Sequence, residues 1–162
     1  LKTISNGSTR KINLNNINVR NHKFRTFFKF IPMYTLSKTE RLCSKILMEE
    51  LLASDLSFVK YPFRVVYKIS STPGEYPARI TVSVGKKRFK RAVKRNRVKR
   101  LTREAFRLNK AILYNEIQEG KTIDILLIYL DNSLPSFAKT EKAIKAILQK
   151  IAAHCNTEIN QE

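Results

Sequence analysis

The chain has 162 residues, with 32 Lys and Arg against 13 Asp and Glu for a formal charge of +19, and 43% of its residues are hydrophobic. That length suits one compact domain, the apolar fraction excludes wholesale disorder, and no apolar run reaches the roughly 20 residues that a helical membrane span needs. Cys43 and Cys155 are too few for a disulfide framework and fit a reducing, cytoplasmic setting, so the excess charge points to an intracellular polyanion, nucleic acid ahead of an anionic membrane surface.

Residues 1–33 are rich in Asn and show no sustained period of 2 or 3.6, which predicts a basic, disordered extension. The first 39 residues hold eight Lys and Arg and no acid before Glu40. Met33, just ahead of the first clear helix signal, is the expected true start codon, which makes the leading segment dispensable; the domain is expected over 34–155 and a tail over 156–162. Ser37-Lys38-Thr39-Glu40 forms a capping box that predicts a helix with Leu42, Ile46, Leu47, Leu51 and Leu52 on its apolar side and Cys43 packed as a small hydrophobe. Asp55 and Ser57 end it. Phe63–Ile69 alternates as a strand with Phe63, Val65, Tyr67 and Ile69 on one face, and Pro73-Gly74 turns into a second strand, Ala78–Val84, expected to pair antiparallel with the first.

A long helix is predicted from Ala92 to Tyr114, with an apolar seam of Val98, Leu101, Ala105, Leu108 and Ile112 and a stop at Gly120. Ile123–Leu130 is almost continuously apolar, as a central strand would be. Ser136 or Thr140 opens a final helix through Ala143, Ile144, Ile147, Leu148 and Ile151. The order α-β-β-α-β-α predicts an α+β sandwich, a small mixed sheet packed with helices, in which strand, basic helix and parallel strand form one crossover.

The charge is concentrated. Between Lys86 and Lys110 stand thirteen basic residues, opposed by Glu104 alone. Cations in the first turn of a helix oppose its dipole, at a cost of about 0.3–1 kcal/mol each when exposed. Arg91, Lys94, Arg95, Arg97, Lys99 and Arg100 at that end therefore make sense if an external anion lies along it. Arg95, Lys99 and Arg103 follow at four-residue steps, and Asn96, Arg100, Arg103 and Arg107 form an adjacent row. Guanidinium groups grip phosphate bidentately, while Asn96 can contact a base edge, a ribose hydroxyl or a metal-bound water.

At these residues a resemblance appears. Ala92-Val93-Lys94-Arg95-Asn96-Arg97-Val98-Lys99-Arg100-Leu101 carries an Arg-Asn-Arg signature. It follows a strand ending Ser83-Val84-Gly85-Lys86-Lys87 and continues into Arg103-Glu104-Ala105-Phe106. This resembles the bacterial ribonuclease P protein component over about Thr35 to Ala153. The resemblance implies a ribonucleoprotein endonuclease whose catalytic RNA removes the 5′ leader of precursor tRNA, and a ribonuclease P protein-like fold with a left-handed βαβ crossover. It places Lys86, Lys87, Arg91, Arg95, Asn96, Arg97, Lys99, Arg100 and Arg103 against that RNA. It also implies a cleft for the single-stranded leader between the first helix and the sheet, where Met48 and Leu52 stand in place of the family's aromatic residues and Tyr67 is the retained aromatic. Magnesium is the implied cofactor, held mainly by RNA phosphates with Asn96 as a weak hydrated site. The implied partners are the catalytic RNA and precursor tRNA, with neither a membrane nor a stable protein partner.

Protein-side catalysis is not expected. Asp55, Asp124 and Asp131 do not form a two-metal cluster, and His154 beside Cys155 lacks a second ligand pair. Two other classes stay open. A structural, ribosomal-type RNA-binding protein would not prefer precursor over mature tRNA, and a peripheral membrane protein would bind liposomes at physiological salt.

Overall fold

The computed structural model describes residues 35–70, 74–117 and 120–159. The expectations for residues 1–33, for Met33 and for Pro73 lie outside these. In chain order the elements are α1 (Lys45–Leu52), β1 (Ser57–Lys60), β2 (Phe63–Ser70), β3 (Ala78–Val84), α2 (Ala92–Asn109), α3 (Ala111–Tyr114), β4 (Thr122–Tyr129) and α4 (Phe137–Ile159). Residues 156–159 of the expected tail thus continue α4.

The sheet runs β1-β2-β4-β3, with β4 antiparallel to β2 and parallel to β3. The expected antiparallel pairing of Phe63–Ile69 with Ala78–Val84 is therefore corrected: β4 lies between them, Leu126 facing Val66 on one side and Thr81 on the other. The reason is the composition of β4. Every residue from Thr122 to Leu127 is buried, and a strand apolar on both faces needs a ladder on both edges to be covered. The crossover from β3 through α2 to the parallel β4 is as expected. β1 was not foreseen; it is a short hairpin partner of β2, joined through Tyr61 and Pro62 with Lys60 opposite Phe63.

Two apolar layers flank the sheet. Phe63, Val65, Tyr67, Ile80, Val82, Ile123, Ile125, Leu127 and Tyr129 pack with Val98, Ala105 and Phe106 of α2 and Ile144, Ile147, Leu148 and Ile151 of α4. On the other face Val66 and Leu126 meet Leu42 and Leu51, with Leu47 and Met48 partly buried alongside. Ile46 and Leu52 point to solvent, 69% and 57% exposed, so the apolar side of α1 is narrower than the sequence pattern predicts. Cys43 is exposed rather than packed.

The capping box forms, yet it opens no helix. Ser37 N–H donates to Glu40 Oε2 at 2.7 Å and Glu40 N–H to Ser37 Oγ at 3.1 Å. The chain then turns along the outer edge of β3: Ile80 N–H donates to Glu40 O at 2.8 Å, and Leu42 N–H to Ile80 O at 3.0 Å. An edge strand leaves a row of unpaired backbone groups, and this strap over residues 35–42 satisfies part of it. Helix α1 begins only at Lys45.

Glu40 is fully buried and pairs with Lys110, which is itself buried at the break between α2 and α3. Lys110 Nζ also donates to Thr35 O at 2.6 Å, and the Tyr114 hydroxyl donates to Glu40 Oε1 at 2.6 Å. Burial, and then the Glu40 carboxylate, push the Tyr114 phenol well above its ordinary pKa. Lys110 therefore leaves the basic surface to which its sequence neighbours belong. The other two buried polar groups of α2 are satisfied within the helix, Thr102 Oγ1 donating to Val98 O at 2.9 Å and Asn109 Nδ2 to Ala105 O at 2.7 Å.

Candidate nucleic-acid interface

Helix α2 buries Val98, Thr102, Ala105, Phe106 and Asn109. This corrects the expected seam: Leu101 is only partly covered and Leu108 is 40% exposed. At about 100° per residue, Asn96, Arg100, Arg103 and Arg107 fall within about 60° of one another, opposite the buried row. Asn96, Arg97 and Arg100 are exposed, while Lys99 and Arg103 lie half-covered on the flank.

No acid stands in the first turn of α2, and its N-cap, Arg91, makes no side-chain capping bond. The positive end of the dipole is thus left to solvent with Arg91 and Lys94 beside it. Arg95 is turned differently. Its Nη1 donates to the carbonyls of Phe89 and Lys90 at 2.8 and 2.7 Å, so it braces the loop that enters the helix. That loop is anchored by Phe89, buried and stacked on Tyr129 with ring centroids 6.1 Å apart. The anchor holds Lys86 and Lys87 out in solvent between β3 and α2.

Among the described residues, none of Lys86, Lys87, Arg91, Arg95, Arg97, Lys99, Arg100 and Arg103 forms an ion pair with a carboxylate. Glu104, the one acid of the stretch, is bound by Arg107 through Nη2 and Nε at 2.6 and 2.9 Å. That contact holds the Glu104 carboxyl below its ordinary pKa. The helix therefore presents cations that no carboxylate among the described residues neutralises.

The expected leader cleft is not assembled as predicted. Met48 is half-buried and Leu52 exposed on α1, but Tyr67 is 4% exposed on the opposite face of the sheet. Its ring meets the edges of Phe58 and His154 at centroid distances of 6.0 and 5.8 Å. The cause is strand parity: α1 covers the face of Val66, and a residue one position along points the other way. Tyr67→Leu is accordingly expected to cost about 1–2 kcal/mol of stability through lost ring contacts. It should leave the ratio of precursor to mature tRNA affinity unchanged, which paired binding titrations would check.

What lies open beside α1 is a different row. Val59, Arg64, Ile128 and Ser83 stand in register across all four strands. Val59 is 62% exposed, Arg64 and Ser83 are exposed and Ile128 is half-buried. Sequence reasoning missed this row because it attended to the apolar face of β2; the alternate positions of β2 and β3 were the available signal. Of the aspartates, Asp124 is held by Arg79 in a two-pronged contact at 2.6 and 2.8 Å. Asp131 caps its own turn, accepting from Ser133 Oγ at 2.7 Å and from Asn132 N–H at 2.6 Å, and hydrogen bonds from Ser133 and then Tyr61 lower its pKa to about 2.

Comparison with known proteins gives a consistent result. The family model described as Ribonuclease P matches residues 36–152. A ribonuclease P protein component from Porphyromonas gingivalis is 43% identical over 124 residues, covering 76% of this chain and 90% of the relative. One from Chlorobium phaeobacteroides is 30% identical over 128 residues, covering 72% and 88%. Among solved structures, the Staphylococcus aureus RNase P protein superposes with a TM-score of 0.54 at 23% identity, covering 71% of this chain and 96% of its own. The Thermotoga maritima protein gives a TM-score of 0.55 at 22% identity, covering 68% and 96%. The strand–helix–strand core, the Arg-Asn-Arg helix and these matches agree: the chain belongs to the ribonuclease P protein family.

Proposed function

We propose that this chain, as the protein component of ribonuclease P, lays the outward row of α2 against the enzyme's RNA subunit and guides the 5′ leader of precursor tRNA. The observation that carries this reading is that Arg97, Arg100 and Arg103, on and beside the outward row, have no carboxylate partner among the described residues, on a helix whose only acid is already bound by Arg107. Such a row adds no stability to the free domain, and it gains phosphate contacts and released counterions when RNA covers it. Lys86 and Lys87 extend it from the adjoining loop. Arg95 acts one step back, by setting the path of that loop.

The leader runs over the open row of Val59, Arg64, Ile128 and Ser83 beside Met48 and Leu52, which supply apolar contact and one guanidinium in place of ring stacking. The RNA carries the hydrolysis. Among the described residues no group of three or more acidic, histidine or cysteine side chains could hold a metal, and Asn96 offers one carboxamide oxygen, enough only for a weak site through water. The ion in this reading is held by RNA phosphates. The setting is the cytoplasm, without a stable protein partner; among the described residues no helix is long and apolar enough to cross a membrane.

The deciding experiment adds the purified chain to a bacterial ribonuclease P RNA at low magnesium with a precursor tRNA. Accurate leader removal, much faster than with RNA alone, is expected. Unchanged cleavage with retained RNA binding would instead favour a structural RNA-binding role.

A further inference from the structure

Between the strap over residues 35–42 and the outer side of α2 lies a groove of about 430 Å³, lined by Leu36, Arg100, Leu101, Arg103, Glu104 and Arg107. Its apolar surface comes from Leu36, Leu101 and the arginine stems. The strap that forms its far wall is fixed at several points: by the buried pair of Glu40 with Lys110, by Thr35 O on Lys110 Nζ, and by the bonds of Glu40 and Leu42 to Ile80. The groove is therefore formed before any ligand arrives, and little ordering is needed to fill it. Glu104 faces it, but its carboxylate is bound by Arg107. Arg100 and Arg103 have no carboxylate partner among the described residues.

An apolar slot with free guanidinium groups on one wall matches a flat aromatic ring carrying an anion. Bases stack on apolar and guanidinium planes, and phosphate takes the remaining donors. We propose that this groove receives one unstacked nucleotide of the RNA subunit, its base against Leu36 and Leu101 and its phosphate on Arg100 and Arg103. The proposal rests on the function proposed above and adds to it a base-binding site beyond the phosphate contacts of α2.

The test uses the full chain with labelled Leu methyl groups, bound to a bacterial ribonuclease P RNA. Ring currents from a seated base are expected to move the Leu36 and Leu101 methyl resonances upfield, while those of Leu113 and Leu127, both in the core, stay in place. Leu36→Ala should weaken RNA binding about tenfold with no change in its salt dependence, since no charge is lost, and Leu36→Met should restore most of it. If the complex forms with the Leu36 and Leu101 signals unmoved, the nucleotide site is overturned while the broader function stands, whatever Leu36→Ala does to folding. If no complex forms, the broader reading fails and this one with it.

Discussion

Lys110→Met is expected to lower the unfolding free energy by about 3–5 kcal/mol, because it leaves the Glu40 carboxylate charged, buried and without its cation. Both side chains are shut off from solvent, at 1% and 0% exposure. The contact therefore differs in kind from surface pairs such as Lys68 with Glu50, 42% and 48% exposed, where about 0–1 kcal/mol is typical. The double replacement Glu40→Leu with Lys110→Met should recover a large part of the loss, since removing both charges removes the desolvation problem along with the attraction. Recovery will be incomplete, because Ser37 N–H and the Tyr114 hydroxyl each lose an acceptor. Urea unfolding of the four chains completes the cycle. A cost for Lys110→Met within the range of surface pairs would show that water reaches this site.

This network also marks where sequence reading ran out. The capping box at Ser37 and Glu40 is real, and its bonds form; what no local pattern reveals is that the following backbone is claimed by β3 and the Glu40 side chain by a lysine 70 positions away. Lys110 itself sits at the end of a run of cations and shares their composition, so only the break of α2 separates it from the surface. The rotated seam of α2 has a similar origin. Thr102 and Asn109 are polar by type, yet each returns a hydrogen bond to its own helix and can be buried without penalty. Leu108 is apolar by type and stays outside.

In the sheet, neighbouring strands in sequence are the ordinary choice for partners. Here the almost continuously apolar character of β4, noted from the sequence as the sign of a central strand, was the stronger clue to strand order. The row Asn96, Arg100, Arg103 and Arg107 was legible from spacing alone, because steps of three and four residues and a shortage of acids do not depend on tertiary context. Which residues stand open beside α1 was not, since that turns on which parity of β2 faces α1, and a one-residue shift reverses the assignment.

Arg97→Ala and Arg100→Ala together should weaken association with the ribonuclease P RNA about a hundredfold at moderate salt and reduce the slope of log affinity against log salt by about two, one for each phosphate contact removed. Loss of charge alone would have a uniform effect wherever it occurred. Lys145→Ala tests that, because it removes a unit of charge from α4, where Glu141 already pairs it at 2.9 Å, and it should leave the slope nearly unchanged. A change of the opposite sign gives the sharpest check. Glu104→Gln removes the one carboxylate of α2, which otherwise accepts from Arg107. That carboxylate stands beside the outward row and repels phosphate, so its loss should tighten RNA binding and steepen the slope by up to about one. Glu104 is ionised at neutral pH, its carboxyl held low by Arg107, so the effect should be fully present there. Equal slopes for the parent and Glu104→Gln chains would mean that RNA does not reach this part of α2.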